Sequence, residues 1–316
     1  MTFINTPVES SNSFLRYADE IKHDPGVKFG TNRLDKFIIP ARRGEVIGIV
    51  GNSGYGKSSY MSFIAVNEAR AIKSRGTGTI NKDKPGEAVL YVTWEQTIET
   101  QEASTQANKR LTISDIAWGR VHQKSLVEAQ KTRLQLPLWI AGRSHYSRSV
   151  NKMFVPDLFA EIVQTQTQFN ITFKAIILDY LQLIPVQKGQ TRVEQISQAI
   201  LDTKELALNA GCPVFVGVQA KIAVLDRPDP VPGMGDTFYS SELDHVLDKG
   251  LGIFKVAKKY PIGSEYKFST NGQAQSIPVT DELFIFNLFK QRWDTSNMRQ
   301  FIHFDINKME LGDMVS

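Results

Sequence analysis

The stretch Glu45-Val46-Ile47-Gly48-Ile49-Val50-Gly51-Asn52-Ser53-Gly54-Tyr55-Gly56-Lys57-Ser58 decides the fold. Its first half is a short, apolar, β-branched run, which predicts a buried strand. Its second half fits G-x-x-x-x-G-K-[ST] and leads into a helical segment over about 58–75. Strand, glycine-rich turn and helix in that order make an anion cradle. Glycines let successive backbone N–H groups face a phosphate, and the helix N-terminus adds its positive end. Gly51, Asn52, Ser53, Gly54, Tyr55, Gly56, Lys57, Ser58 and Ser59 are therefore the expected ATP-binding residues. Lys57 is expected to reach the β- and γ-phosphates, and the Ser58 hydroxyl to ligate Mg²⁺. The competing reading, a structural glycine turn with no ligand, is disfavoured by the flanking strand and helix.

Working outward, apolar runs recur at 88–94, 137–141, 175–179 and 213–219. Helical segments at about 97–135, after Pro156 and over 193–210 separate them. This alternation predicts an α/β fold with a mostly parallel sheet covered by helices on both faces. The later runs at 251–257, 283–289 and 301–306 have no helices between them, so the sheet is expected to end in antiparallel strands. Ahead of the phosphate loop, Phe14, Leu15, Ala18 and Ile21 fall at helical spacing behind candidate caps Ser11, Asn12 and Ser13. Residues 1–25 are thus expected to form an amphipathic arm and 26–316 one ATPase domain.

Composition narrows the functional classes. The chain has 316 residues, 41% hydrophobic and 22% charged, with a formal net charge of +4. Such a composition excludes a mainly disordered or collagen-like chain. The single cysteine, Cys212, excludes an internal disulfide framework and a multi-cysteine zinc site, and fits a reducing compartment. Neither a secretory leader nor an 18-residue apolar run is present, so the expected location is the cytoplasm, with no membrane partner. The charge is unevenly spread: residues 120–192 hold ten Lys/Arg against four Asp/Glu, a net of +6. That is either a solvated basic face or an anion-binding surface.

Three more residues complete the candidate site. Phe173-Lys174-Ala175-Ile176-Ile177-Leu178-Asp179 is an apolar strand with a carboxylate at its C-terminal end, where parallel-sheet ligands bind. Asp179 is expected to hold Mg²⁺ opposite Ser58; capping of a following helix is the alternative. Glu95 follows the 88–94 strand and would aim a carboxylate at an attacking water, unless it is a solvated loop residue. Gln219, at the end of its strand, would sense the γ-phosphate or be a satisfied strand-end amide.

The segment Ile177-Leu178-Asp179-Tyr180-Leu181-Gln182-Leu183-Ile184 closely resembles the I-D-Y-L-Q-L-M strand of DnaB-type replicative helicases, a family of hexameric RecA-fold motors. The order of parts agrees as well, and the resemblance covers roughly 26–306. It implies a RecA-like P-loop NTPase core that hydrolyses ATP with Mg²⁺ and works as a homo-oligomeric ring, a hexamer, on single-stranded DNA in replication. Replication or loader proteins would be further partners. By resemblance Glu95 is the catalytic base. Lys290 and Arg292, in Lys290-Gln291-Arg292, act in trans on the neighbour's ATP. DNA contacts are expected from two channel loops, about 185–192 with Lys188 and Arg192, and about 220–241 with Lys221 and Arg227.

The chain also departs from that family. Val218-Gln219-Ala220-Lys221 stands where S-Q-L-x-R is usual, and Phe238-Tyr239-Ser240-Ser241 answers R-E-S-G. About 25 residues precede the core in this sequence, so the family's N-terminal helical collar is not expected here. The arm at 12–22 stands either where the linker helix packs on an adjacent subunit or against its own core. The basic stretch 142–152, with Tyr146 and no acid, suits a nucleic-acid backbone, an acidic partner or a solvated loop. An alternative reading keeps the ATPase without unwinding, as a nucleotide-switched assembly or loading factor of a phage, plasmid or mobile element. A third, a dead site with a structural role, is opposed by Lys57, Ser58, Glu95 and Asp179.

Overall fold

The strand expected ahead of the phosphate loop is β1 (Val46–Gly51), buried along its whole length. The structure, a computed structural model, describes residues 4–79, 84–146, 153–185, 189–237, 243, 245–270, 273–294 and 298–314. β1 pairs in parallel with β5 (Val214–Gln219) on one side and β6 (Lys249–Lys255) on the other. Beyond β5 lie β4 (Ile171–Asp179), β2 (Gly86–Thr97) and β3 (Leu138–Arg143), all parallel. Beyond β6 lie β9 (Leu283–Gln291), β10 (Met298–Asp305) and β11 (Glu310–Asp313), all antiparallel as expected from runs without intervening helices.

Side chains two apart along a strand share a face, and both faces are apolar. Ile47, Ile49, Val89, Tyr91, Ala175, Ile177 and Phe215 pack with helix α3 (Lys57–Arg75) on one face. Val46, Val50, Leu90, Val92, Ile176, Leu178, Val214 and Val216 pack with α7 (Val155–Phe169) and α8 (Arg192–Ala210) on the other. This two-sided burial explains why the strands read as continuous apolar runs rather than alternating ones.

Several elements differ from expectation for local reasons. The helical stretch at 97–135 is three helices, α4 (Ile98–Gln106), α5 (Ile113–Ala117) and α6 (Gln123–Arg133). Asn108 accepts from the Arg110 N–H at 2.8 Å to make a turn, Thr112 caps α5, and Gly119 takes φ +66° just after it. The arm helix α1 (Pro7–His23) starts earlier than the Ser11–Ser13 caps suggest. Thr6 accepts from Glu9 N while the Glu9 carboxylate accepts from Thr6 N at 2.7 Å, a capping box with Pro7 in the first turn. No residue of α1 is buried, and Phe14 and Leu15 remain 65% and 60% exposed. A short helix α2 (Asn32–Phe37), capped by Thr31, and a hairpin of β7 (Glu265–Thr270) and β8 (Gln273–Pro278) were not expected. No described helix is long and apolar enough to cross a membrane.

Candidate active site

The C-terminal ends of β1, β5, β4 and β2 meet at the N-terminus of α3. The loop there turns through Gly54 at φ +76° and Gly56 at φ +88°, conformations that only glycine adopts without strain. A Cβ on Gly56 would also stand 2.9 Å from the Phe284 ring. Tyr55 anchors the loop by stacking on Phe254, ring centroids 5.5 Å apart. Lys57 opens α3 and folds back so that Nζ donates to the Asn52 carbonyl at 3.0 Å. Burial lowers its pKa, while the Asp179 and Glu95 carboxylates act to raise it. Ser58 Oγ donates to Asp179 Oδ1 at 3.0 Å, and Tyr91 Oη donates to Asp179 Oδ2 at 2.8 Å. Burial pushes the Asp179 carboxyl up to about 6, against the pull of those two hydroxyls and Lys57. Ser59 is partly buried behind Ser58.

These groups fit a nucleotide with its metal. A lysine, backbone N–H groups and a helix N-terminus all favour a polyphosphate. Ser58 Oγ and Asp179 Oδ1, hard oxygens 3.0 Å apart, suit Mg²⁺. Glu95 lies within β2 rather than after it, where the pairing with β3 shifts register between Val92 and Thr97. Thr93 Oγ1 accepts from Gln96 N at 2.9 Å across this irregular turn, leaving Glu95 exposed. Its charge still reaches Lys57, Asp179 and Tyr180. Gln219 is partly buried opposite Gly51 in the β1–β5 register. Lys57, Ser58, Glu95, Asp179 and Gln219 thus gather at one end of the sheet.

The structure adds residues that the sequence did not suggest. Tyr91 is one. Gly217 is another, because a Cβ there would stand 2.7 Å from the Met61 methyl and 3.3 Å from Asp179 Oδ1. Lys258 Nζ lies 3.7 Å from where a Cβ of Gly54 would be, beside the loop tip. Asn52 Nδ2 reaches the Ala220 and Lys221 carbonyls at 3.5 and 3.4 Å, linking the phosphate loop to the segment after β5. A hydroxyl inside the otherwise apolar run 88–92 was the one available signal for Tyr91.

Residues 26–253 match the family described as the DnaB-like helicase C-terminal domain. The chain belongs to this family. Among solved structures it is similar to the ATPase domain of G40P, with TM-score 0.76 and 17% identity over 99% of this chain and 100% of that one. It is also similar to a DnaB-like replicative helicase studied with primase, with TM-score 0.74 and 16% identity over 99% of this chain and 68% of that one. The RadB recombinase shares the fold more distantly, with TM-score 0.51 and 12% identity over 92% of this chain and 100% of that one. No curated protein matches in sequence. The core is therefore a RecA-like P-loop ATPase domain of the helicase type.

In this DnaB-like domain, Lys290 and Arg292 lie beyond the matched residues and at the other end of the sheet. β9 is antiparallel to β6, so Gln291 pairs with Lys249, which in turn pairs with Ile47 near the start of β1. The phosphate loop leaves the far end of β1, roughly 15 Å away at about 3.3 Å per residue. Arg292 Nε is 3.2 Å from Asp248 Oδ1, and Asp248 Oδ2 also accepts from Lys204 Nζ at 2.7 Å and from Val46 N at 2.8 Å. Neither Lys290 nor Arg292 is placed to meet a phosphate in its own loop.

Three of the expected DNA-contacting cations, Arg192, Lys221 and Arg227, have internal partners. Arg192 begins α8 and its guanidinium donates to the Ile184 carbonyl. Lys221 Nζ donates to Gly235 O at 2.9 Å, and Arg227 grips Asp236 with two bonds of 3.0 and 2.6 Å. Segment 220–237 holds two basic and three acidic residues, a net charge of −1. Lys188 and Phe238–Ser241 fall outside the described residues, as do 147–152 of the basic stretch. In the described part of that stretch, Ser144 Oγ and His145 N donate to the Glu99 carboxylate, and the Ser144 bond, with further donors, holds Glu99 at about 2.

Proposed function

We propose that the protein is an ATP-driven motor that encircles single-stranded DNA as a homo-oligomeric ring, a hexamer, and separates duplex ahead of it during replication in the cytoplasm. Residues 26–316 form the motor and 1–25 an arm. The separation of Arg292 from its own phosphate loop is the observation that carries this reading. A site lacking its cationic finger is completed by the Lys290 and Arg292 of a second copy.

Lys57 releases the Asn52 carbonyl and takes the β- and γ-phosphates. Ser58 and Asp179 would hold Mg²⁺, and the bound ion would supply positive charge beside the phosphates. Glu95 orients the attacking water and accepts its proton, as the γ-phosphate passes to water and ADP leaves. Arg292 from the neighbour stabilises the charge spreading over the γ-phosphate. Gln219, with Asn52 beside it, passes the state of the γ-phosphate to segment 220–237. That segment, with Arg227 and Lys221, and the 185–192 loop, with Lys188 and Arg192, grip the DNA backbone. The exposed Phe14 and Leu15 of α1 supply the arm's contact with the adjacent subunit. Loader or replication proteins would place the ring.

One observation favours a second reading. With Arg227 tied to Asp236 and a net charge of −1, segment 220–237 is a poor phosphate grip, as expected of a nucleotide-switched loading factor that does not unwind. ATP hydrolysis measured with and without single-stranded DNA separates the two. The motor requires DNA to accelerate turnover and Lys57→Ala to abolish it. Brisk hydrolysis indifferent to DNA favours the loading factor.

A further inference from the structure

Asp179 is fully buried, and each carboxylate oxygen has its own hydroxyl donor, Ser58 at 3.0 Å on Oδ1 and Tyr91 at 2.8 Å on Oδ2. Ser58 belongs to the mouth of the site. Tyr91 does not. It rises from the interior of β2, wholly buried, two residues before Thr93, which pairs with Asp179 across β2 and β4. Its ring therefore lies on the same sheet face as the Asp179 side chain, beneath α3, and its hydroxyl also stands 3.5 Å from the Ser58 carbonyl. Behind it a buried polar chain continues, with Ser62 Oγ donating to Ser58 O at 2.8 Å and Gln101 Nε2 donating to Ser62 Oγ at 2.7 Å. Burying a phenol on the apolar face it shares with Val89 and Ile177 is unfavourable unless its hydroxyl finds a partner, and here the partner is the carboxylate at the head of the site.

We propose that Tyr91 is a positioning residue for the metal side of the nucleotide site. The torsion that turns a carboxylate about its own axis is soft, so Asp179 by itself has no fixed orientation. A donor from the rigid sheet onto Oδ2 sets it, and Oδ1 is then presented toward Ser58. Outer hydrogen bonds of this kind hold metal ligands in place, and their loss typically weakens metal binding about 10–100-fold. The assignment rests on the ATPase reading above and names a residue that reading does not require.

The test uses the full chain and Tyr91→Phe, which keeps the ring. A fluorescent ATP analogue is titrated in EDTA, then Mg²⁺ is titrated into the nucleotide complex, and bound Mn²⁺ is counted by electron paramagnetic resonance. Tyr91→Phe is expected to bind nucleotide in EDTA as the wild type does, yet to need about tenfold more Mg²⁺, or more, for half-saturation. Because Tyr91 acts through Asp179, adding Tyr91→Phe to Asp179→Asn should change Mg²⁺ dependence no further. A Mg²⁺ curve for Tyr91→Phe that overlays the wild type overturns the proposal, as does an additional loss in the double variant. Should Tyr91→Phe not fold, 3-fluorotyrosine at position 91 replaces it: the ¹⁹F signal should move when Mg²⁺ joins the nucleotide complex, and a static signal overturns the proposal. Wild-type protein that binds no nucleotide would remove the ATPase reading itself, and this proposal with it, an outcome distinct from normal binding with no role for Tyr91.

Discussion

Asp179→Asn should make the nucleotide-free protein more stable above neutral pH while removing its response to Mg²⁺. The Asp179 carboxyl is buried, and burial raises it from an ordinary value of 3.8 to about 6. Below pH 4 both folded and unfolded chains carry its proton. Between pH 4 and 6 the unfolded chain loses that proton while the folded chain retains it, so stability falls as pH rises; above 6 the cost is fully present. A gap of about two pH units, at 1.36 kcal/mol each, corresponds to about 3 kcal/mol. Asparagine keeps the shape and an acceptor for Tyr91 or Ser58 without a charge. Urea unfolding of both proteins from pH 4.5 to 8 measures the difference, in which the other titrating groups cancel. Across that range the variant should gain on the wild type by about 2 of the 3 kcal/mol, the remainder being present already at pH 4.5, with most of the change below pH 7. Mg²⁺ added to the nucleotide-saturated proteins should then raise the wild type further by linkage and leave the variant unmoved. A difference independent of pH, or one that favours the wild type as pH rises, would refute the claim that an unfavourable buried charge is held there for a cation.

Other consequences are equally direct. Arg292→Ala subunits should bind ATP yet hydrolyse it about 10³-fold or more slowly, and mixing them with Glu95→Gln subunits should restore part of the activity; no recovery in mixed assemblies contradicts a trans role. Asp236→Asn frees Arg227 from its two-bond pair, so single-stranded DNA binding should tighten at low salt and its log–log salt slope steepen by about 0.7; an unchanged slope means that Arg227 meets no phosphate. Phe14→Asp with Leu15→Asp should leave the melting of the subunit within about 0.5 kcal/mol, since no α1 residue is buried, and should shift sedimentation toward smaller species; a large loss of stability would mean that the arm packs on its own body.

What the sequence made legible was local. Gly51–Ser58 and the apolar run into Asp179 announce themselves because strand, turn and helix propensities agree over a few residues. The same locality misplaced the start of α1, where Ser11, Asn12 and Ser13 drew attention from the stronger Thr6-Pro7-x-Glu9 signal. The β7–β8 hairpin was missed because β8 is almost wholly exposed and carries no buried apolar alternation. Tyr91 and Gly217 matter only once β2, β4, β5 and α3 are packed, since their partners Asp179 and Met61 are distant in sequence. Pairing of Arg227 with Asp236, nine residues on in an irregular segment, follows from no periodicity, and it changes what the loop's charge can do. The opposite placement of Arg292 depends on the antiparallel turn of β9, which composition could suggest but not register.

Unwinding of a forked duplex with a free single-stranded tail, in ATP and Mg²⁺, tests the central claim most directly. Strand separation that requires hydrolysable ATP and disappears in Lys57→Ala is the expected result. A protein that hydrolyses ATP steadily, assembles on the tail and leaves the fork intact would contradict the motor and leave a nucleotide-switched loading factor in its place.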